Sequence, residues 1–114
     1  MSGKRRSTQN AMRERAAIFA ALGDETRLAV LVKLGDRQPH SISRLTAGTR
    51  MSRQAVTKHL RVLARAGIVR NVHLGRENLF KLETPPIESA RDYLTDVSRQ
   101  WDDTLARLKA HLEK

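Results

Sequence analysis

The sequence predicts a mainly α-helical domain with one small β-hairpin, and three observations support this. Apolar residues recur at helical spacing over most of the chain. Residues 68–82 instead alternate loosely between apolar and polar, with a turn at Gly75-Arg76. The length of 114 residues leaves room for one small domain. Five helices and a two-stranded hairpin account for the whole pattern.

The first third of the chain predicts a basic arm and two helices. Residues 1–9 are small, polar and basic, so we expect a disordered arm. The sequence does not tell whether this arm contacts a binding partner. The domain proper then covers residues 10–114, beginning with a helix from about Asn10 to Leu22. Asp24 has the side chain of an N-cap for a second helix, which Gly35 ends.

Residues 41–67 predict two helices joined by a short turn. Ser41 caps the first helix and Gly48 stops it, whereas Ser52 caps the second, which ends at Gly67. The second helix has an apolar face with i, i+4, i+7 spacing: Val56, Leu60 and Leu63. Two helices joined in this way form a helix-turn-helix, which lays its second helix in the DNA major groove.

The opposite face of that second helix carries side chains suited to DNA. Its members are Arg53, Gln54, Thr57, Lys58 and Arg61. Arginine can fork onto guanine, glutamine onto adenine, and lysine and threonine can bind phosphates. Ser52 lies where free N–H groups favour a phosphate. A solvated basic face is the alternative, but the preceding helix and the following hairpin favour DNA.

The hairpin over residues 68–82 follows the second helix directly, as the wing does in a winged helix-turn-helix. Gly75 can adopt the positive φ of a tight turn, which leaves Arg76 at the tip. Wings of this kind touch the DNA backbone or minor groove, so Arg76 is a candidate contact. The alternative, to which we give the same weight as to the DNA contact, is that Arg76 only keeps the hairpin soluble.

Three ordered segments together resemble the ArsR/SmtB winged-helix repressors: residues 19–31, 52–69 and 75–82. The resemblance covers roughly residues 10–112. It implies a homodimeric bacterial or archaeal repressor, often of its own operon, with a recognition helix over residues 52–66. The DNA-contacting positions implied are Ser52, Arg53, Gln54, Thr57, Lys58, Arg61 and, at the wing, Arg76. His59 lies in the family's usual His-Leu position, and its neighbours on the inward face of the helix suggest a packing or hydrogen-bonding role rather than base readout.

The chain departs from this family's pattern in its lack of cysteine. Many members sense metals through a Cys-x-Cys pair, where this chain has Pro-His-Ser-Ile-Ser at residues 39–43, so thiolate and disulfide sensing are excluded. The last helix carries His111 without carboxylates spaced to join it. We therefore expect no metal and no cofactor. A metal-responsive repressor with an unrecognised His/carboxylate site stays an alternative.

Residues 86–112 predict a long helix that serves for dimerisation. Apolar residues recur along it in steps of three and four over about seven turns. One thin domain offers too little surface to bury this stripe, so we expect two copies to pair through the first and last helices. The expected interface residues are Phe19, Leu94, Val97, Trp101, Leu105 and Leu108. Folding of the stripe onto its own domain is the alternative.

The charge distribution also points to a polyanion. The net charge is +10, and residues 1–82 hold 17 Lys and Arg against 5 Asp and Glu. The chain has no apolar stretch long enough for a membrane span or signal peptide, so we expect a cytoplasmic protein. It also lacks the motifs of nucleophilic or phosphate-binding enzymes, and no enzyme activity is expected.

The function predicted from these patterns is sequence-specific regulation of transcription. The expected regulator is a homodimeric repressor of its own or a neighbouring operon, and it binds an imperfect palindrome in double-stranded DNA. A non-specific architectural DNA-binding protein is the alternative from a different class, which needs only Lys and Arg. An unidentified small-molecule effector is possible by the sequence, which does not give the operator sequence. The sequence also does not distinguish a repressor from an activator.

Overall fold

The computed structural model describes residues 2–113, with side chains from residue 8 onward. The helices are α1 (Ser2–Leu22), α2 (Glu25–Leu34), α3 (Ile42–Thr46), α4 (Arg53–Arg65) and α5 (Thr84–Leu112). The strands are β1 (His40–Ser41), β2 (Val69–Leu74) and β3 (Glu77–Leu82). The predicted class, mainly α with five helices and a small hairpin, is confirmed.

Helices α2, α3 and α4 and the start of β2 enclose the core. The fully buried side chains are Val30, Leu34, Leu45, Val56, Leu60, Leu63 and Ile68. Within α2 the buried positions are Val30 and Leu34, whereas Val32 is 80% exposed. Burial of this set is the main favourable term in folding, since each fully buried aliphatic side chain contributes about 1.5–3 kcal/mol.

The sheet has a third strand that the sequence did not predict. The strands lie in the order β1-β3-β2, and both pairs are antiparallel. In β1, His40 pairs with Phe80 and Ser41 with Leu79, so the hairpin is attached to the residues that lead into α3. A two-residue strand has no periodicity of its own and becomes visible only through its partner. The pairing holds the wing against the helix-turn-helix.

Helix α1 begins at Ser2, earlier than the start near Asn10 that the sequence predicted. The backbone of residues 2–9, expected as a disordered arm, therefore continues the helix, while Met1 lies outside the described residues. The segment contains no proline, and Lys, Arg and Gln are good helix formers. Once a helix is nucleated, each added residue gains a hydrogen bond, so propagation through such a segment is favourable.

Arg27 joins the end of α1 to α2. Its Nε donates to the carbonyl oxygen of Ala21 at 2.7 Å, and Nη2 donates to that of Ala20 at 3.2 Å. These carbonyls lie in the last turn of α1, where they lack partners within the helix and where the dipole favours a cation. Arg27 thus acts as a C-cap supplied by the next helix.

We expect Arg27→Ala to lower the free energy of unfolding by about 1–2 kcal/mol, because two charge-assisted hydrogen bonds are lost at a partly exposed site. Urea unfolding followed by circular dichroism measures the change. Arg13→Ala, which truncates an exposed arginine of α1, is the matched control and should leave the midpoint within error. Equal midpoints for both variants would contradict the capping role.

Helix α5 extends well beyond the rest of the domain. The radius of gyration is 18.9 Å, whereas a compact chain of this length has about 13 Å. Residues 98–113 are exposed at every position. No helix in the described part of the chain combines the length and apolar character needed to cross a membrane.

Candidate nucleic-acid interface

The buried face of α4 fixes which side of this helix faces outward. Ser52 caps the helix by accepting a hydrogen bond from the Ala55 amide at 3.1 Å. Val56, Leu60 and Leu63 are fully buried, as their spacing predicted. Rotation of α4 about its axis would expose these three side chains, so its outer face is held in one orientation.

A groove of about 310 Å³ lies on that outer face, between α3 and α4. It is lined by Ile42, Arg53, Gln54, Thr57, Lys58 and Arg61. Five of these six are the residues that the sequence analysis selected on α4. Ser52, at the helix end, and Arg76, in the wing, lie outside the groove lining. The four long polar side chains are exposed, whereas Thr57 is half-buried.

The sequence did not predict that Ile42 lines this groove, and it did not single out Arg50. Ile42 of α3 lines the groove and is also partly packed against the core. Because its helical spacing matched a core position, the sequence indicated only that its side chain points inward. Arg50 is exposed in the turn just before Ser52. Its position between the two helices of the helix-turn-helix, one of which crosses the DNA backbone in such motifs, was the available signal.

The hydroxyl group of Thr57 is turned back onto its own helix. Oγ1 donates to the carbonyl oxygen of Arg53 at 2.7 Å, the i−4 bond that threonine often makes in helices. From the sequence we predict that this hydroxyl group binds a phosphate. A hydroxyl has one proton to donate, so Thr57 cannot donate it to a phosphate while the bond to Arg53 persists.

His59 lies on the inner side of α4, in contact with the α1–α2 junction. Its Nδ1 is 3.5 Å from Nη1 of Arg27 and 4.0 Å from Oδ2 of Asp24. The hydrogen-bonding role expected for His59 is therefore confirmed. Asp24 caps α2 by accepting from the Arg27 amide at 3.0 Å, and this bond lowers the pKa of Asp24 below its usual value. Arg27 thus connects α1, α2 and α4.

The wing has a two-residue turn. Leu74 pairs with Glu77, which leaves Gly75 and Arg76 as the central residues of the turn. Gly75 has φ +62°, as expected, and a positive φ at the first central position is typical of a type II′ turn. Arg76 is exposed at the tip. At the base of the hairpin, Nε of Arg70 is 2.7 Å from Oε1 of Glu83.

His40 lies in β1, within residues 39–43, where the resemblance implies a Cys-x-Cys pair in metal-sensing members of the family. Its ring is buried, and Nε2 is 2.9 and 2.8 Å from the two carboxylate oxygens of Asp36. The Gln38 amide, followed by His40, lowers the pKa of Asp36. Within residues 8–113, no group of three or more His, Asp or Glu side chains is placed to hold a metal ion.

A second groove, of about 570 Å³, runs between α1 and the first half of α5. Phe19, Leu22 and Leu94 line it, with Arg91 and Arg99 at its edge. Tyr93 packs on Phe19, with ring centroids 5.8 Å apart, and the Arg15 guanidinium lies 4.5 Å from the Tyr93 ring centroid. These contacts hold α1 and α5 together in one chain.

The apolar stripe of α5 continues past this groove into solvent. Its exposed members include Leu94 at 54%, Trp101 at 63%, Leu105 at 56% and Leu108 at 53%. Val97 is half-buried. The alternative in which the stripe folds back on its own domain is therefore wrong for residues 98–112, all of which are exposed.

Comparisons with known proteins agree with this architecture. The model of the helix-turn-helix domain family matches residues 22–72. The HTH-type transcriptional regulator YuzN of Bacillus subtilis is 34% identical over 79 residues, covering 64% of this chain and 86% of that protein. An ArsR-like transcriptional regulator from Rhodococcus sp. RHA1 is 37% identical with a TM-score of 0.77, over 88% of this chain and 93% of that one.

The chain belongs to the ArsR family of winged helix-turn-helix transcriptional regulators. A winged helix-turn-helix domain from Mycobacterium bovis shares the fold at 18% identity, with a TM-score of 0.63 over 86% of this chain and 87% of that one. This ArsR-family protein is thus a DNA-binding regulator of transcription and not an enzyme.

Proposed function

We propose that this ArsR-family protein is a homodimeric repressor that binds a specific operator and controls its own or a neighbouring operon. The observation that carries the proposal is the outer face of α4, where Arg53, Gln54, Lys58 and Arg61 are all exposed around one groove. Glutamine distinguishes this face from a merely cationic one, because a non-specific binder needs only positive charge.

Each side chain of the site has a proposed role. Arg53 and Gln54 lie in the first turn of α4, the part of a recognition helix that reaches base edges, and they can fork onto guanine and adenine. Lys58 and Arg61 bind phosphates along the groove. Ser52 places the N-terminus of α4 against a phosphate, and Arg76 meets the backbone or minor groove from the wing.

A second copy of the chain is the proposed cover for the apolar stripe of α5 and for the groove beside Phe19. The stripe and the groove are continuous through Leu94. Fifteen consecutive exposed helical residues, 98–112, with four large apolar side chains would be costly for an isolated monomer. The Mycobacterium bovis domain, which has the same fold, is homodimeric.

Two-fold symmetry determines the form of the proposed operator. A dimer presents two copies of α4 related by a two-fold axis, so its site is an imperfect palindrome. The half-sites are separated by about one helical turn, roughly 10 base pairs. A regulator of this kind acts on the chromosome, so we place the protein in the cytoplasm of its cell.

Titration by fluorescence anisotropy tests the proposal. The protein, with chelator present, is titrated against its own upstream intergenic DNA and a scrambled duplex of equal length. We expect a preference for the upstream duplex of about 10³ or more, as specific regulators show. Equal, steeply salt-dependent binding to both duplexes would favour an architectural DNA-binding protein instead.

Repression is tested separately with a reporter gene behind the same intergenic DNA. Expression of the protein should lower reporter output, and a small molecule that restores output would be its effector. A rise in output on expression of the protein would contradict repression and indicate activation.

A further inference from the structure

The groove between α3 and α4 has an apolar patch within its cationic surroundings. Ile42 lines it from α3 and Thr57 from α4, and the other lining residues are Arg53, Gln54, Lys58 and Arg61. Because Oγ1 of Thr57 is bonded to the Arg53 carbonyl, the γ-methyl group is the part of this side chain left to face a ligand. The patch therefore consists of one aliphatic side chain and one methyl group.

We propose that Ile42 and the Thr57 methyl group bind the C5-methyl group of a thymine in the operator. Thymine is the base that presents a methyl group in the major groove, where alanine, threonine methyl and other apolar groups contact it. This inference rests on the proposed function and names one base of its site. Each half-site then contains an A·T pair whose thymine methyl faces the groove beside the bases read by Arg53 and Gln54.

A phosphate fits this position less well than a methyl group. A phosphate oxygen needs a donor, and the single hydroxyl proton of Thr57 is already donated within the helix. Ile42 offers no donor side chain either. Lys58 and Arg61, which line the same groove of about 310 Å³, carry the cationic groups suited to phosphates.

The test replaces operator thymines by deoxyuridine, which pairs identically but lacks the methyl group. In the operator duplex, two thymines at symmetry-related positions of the two half-sites are replaced at a time. The affinity of the protein for each duplex is measured by fluorescence anisotropy. Loss of one buried methyl contact lowers the affinity for DNA about fourfold per half-site, and hence about 15-fold when both half-sites are changed. We expect such a loss at one symmetric pair of positions.

Two variants of Thr57 separate the methyl group from the hydroxyl group. Thr57→Val keeps a methyl group and removes the hydroxyl, so its affinity should fall on deoxyuridine replacement by the same factor as that of the wild type. Thr57→Ser keeps the hydroxyl and removes the methyl, so it should bind the thymine duplex more weakly, by up to about 15-fold, and lose less affinity than the wild type on deoxyuridine replacement, because only Ile42 still contacts the thymine methyl group. Thermal unfolding checks that both variants are folded.

The outcomes distinguish this inference from the proposed function. Loss of binding in Thr57→Val with retention in Thr57→Ser would overturn the inference and assign the hydroxyl to a DNA contact. A wild-type protein that prefers its operator but loses nothing on any deoxyuridine replacement would overturn the inference alone. A wild-type protein that binds operator and scrambled duplexes equally would overturn the proposed function.

Discussion

Replacing Trp101 by alanine is expected to raise the dissociation constant of the dimer on the order of 100-fold. Trp101 is the only tryptophan of the chain and lies at the middle of the α5 stripe, where it is 63% exposed in the single chain. Truncation of a buried aromatic side chain costs about 3 kcal/mol or more, and every 1.4 kcal/mol is a factor of ten in affinity. Sedimentation equilibrium over a range of concentrations measures the change.

The same helix supplies a matched control. Asp103 lies two residues further along α5, about 200° around the helix axis from Trp101, and is also exposed. Asp103→Ala should leave the dimer constant within about twofold of the wild type. An unchanged dimer in Trp101→Ala would refute the proposed interface, and equal weakening in both variants would show that the stripe is not what pairs the chains.

Arg53→Ala and Gln54→Ala are expected to weaken operator binding by about 1–3 kcal/mol each, or roughly 5- to 150-fold, and to relax the base preference at the positions they read. The rigid, buried face of α4 directs both side chains outward in the first turn. Truncation therefore removes hydrogen bonds to bases without disturbing the core. Anisotropy titrations against the operator and its single-base variants give both quantities.

Lys58→Ala is the matched comparison, because Lys58 is exposed on the same groove but is proposed to bind a phosphate. Its removal should weaken binding to operator and random DNA alike and flatten the dependence of log K on log salt by about one unit. If all three variants lost affinity equally for random DNA, the division between base and phosphate contacts would be wrong.

Local patterns were sufficient to predict the helices that form the site. Ser52 and Asp24 cap helices as expected, and the spacing of Val56, Leu60 and Leu63 identified the buried face of α4. These features depend on neighbours within one or two turns, which the sequence displays directly. The outward residues of α4 followed from the same periodicity.

Features that depend on contacts between distant segments were not predicted. Strand β1 exists because His40 and Ser41 meet β3, some 40 positions later in the chain. Arg27 gains its capping role only when α2 folds back on α1, and Ile42 joins the groove only when α3 packs beside α4. The rotamer of Thr57, which withdraws its hydroxyl, is a choice between two helical rotamers that the sequence leaves open.

Selection of duplexes from a random pool by the purified protein, followed by sequencing, tests whether α4 recognises a specific DNA sequence. We expect enrichment of one inverted repeat with half-sites centred about 10 base pairs apart, containing guanine and A·T pairs in each half. The Arg53→Ala protein, selected in parallel, should enrich a repeat with one position relaxed. A pool that stays random through successive rounds, while the protein still retains DNA at low salt, would contradict sequence-specific recognition by α4.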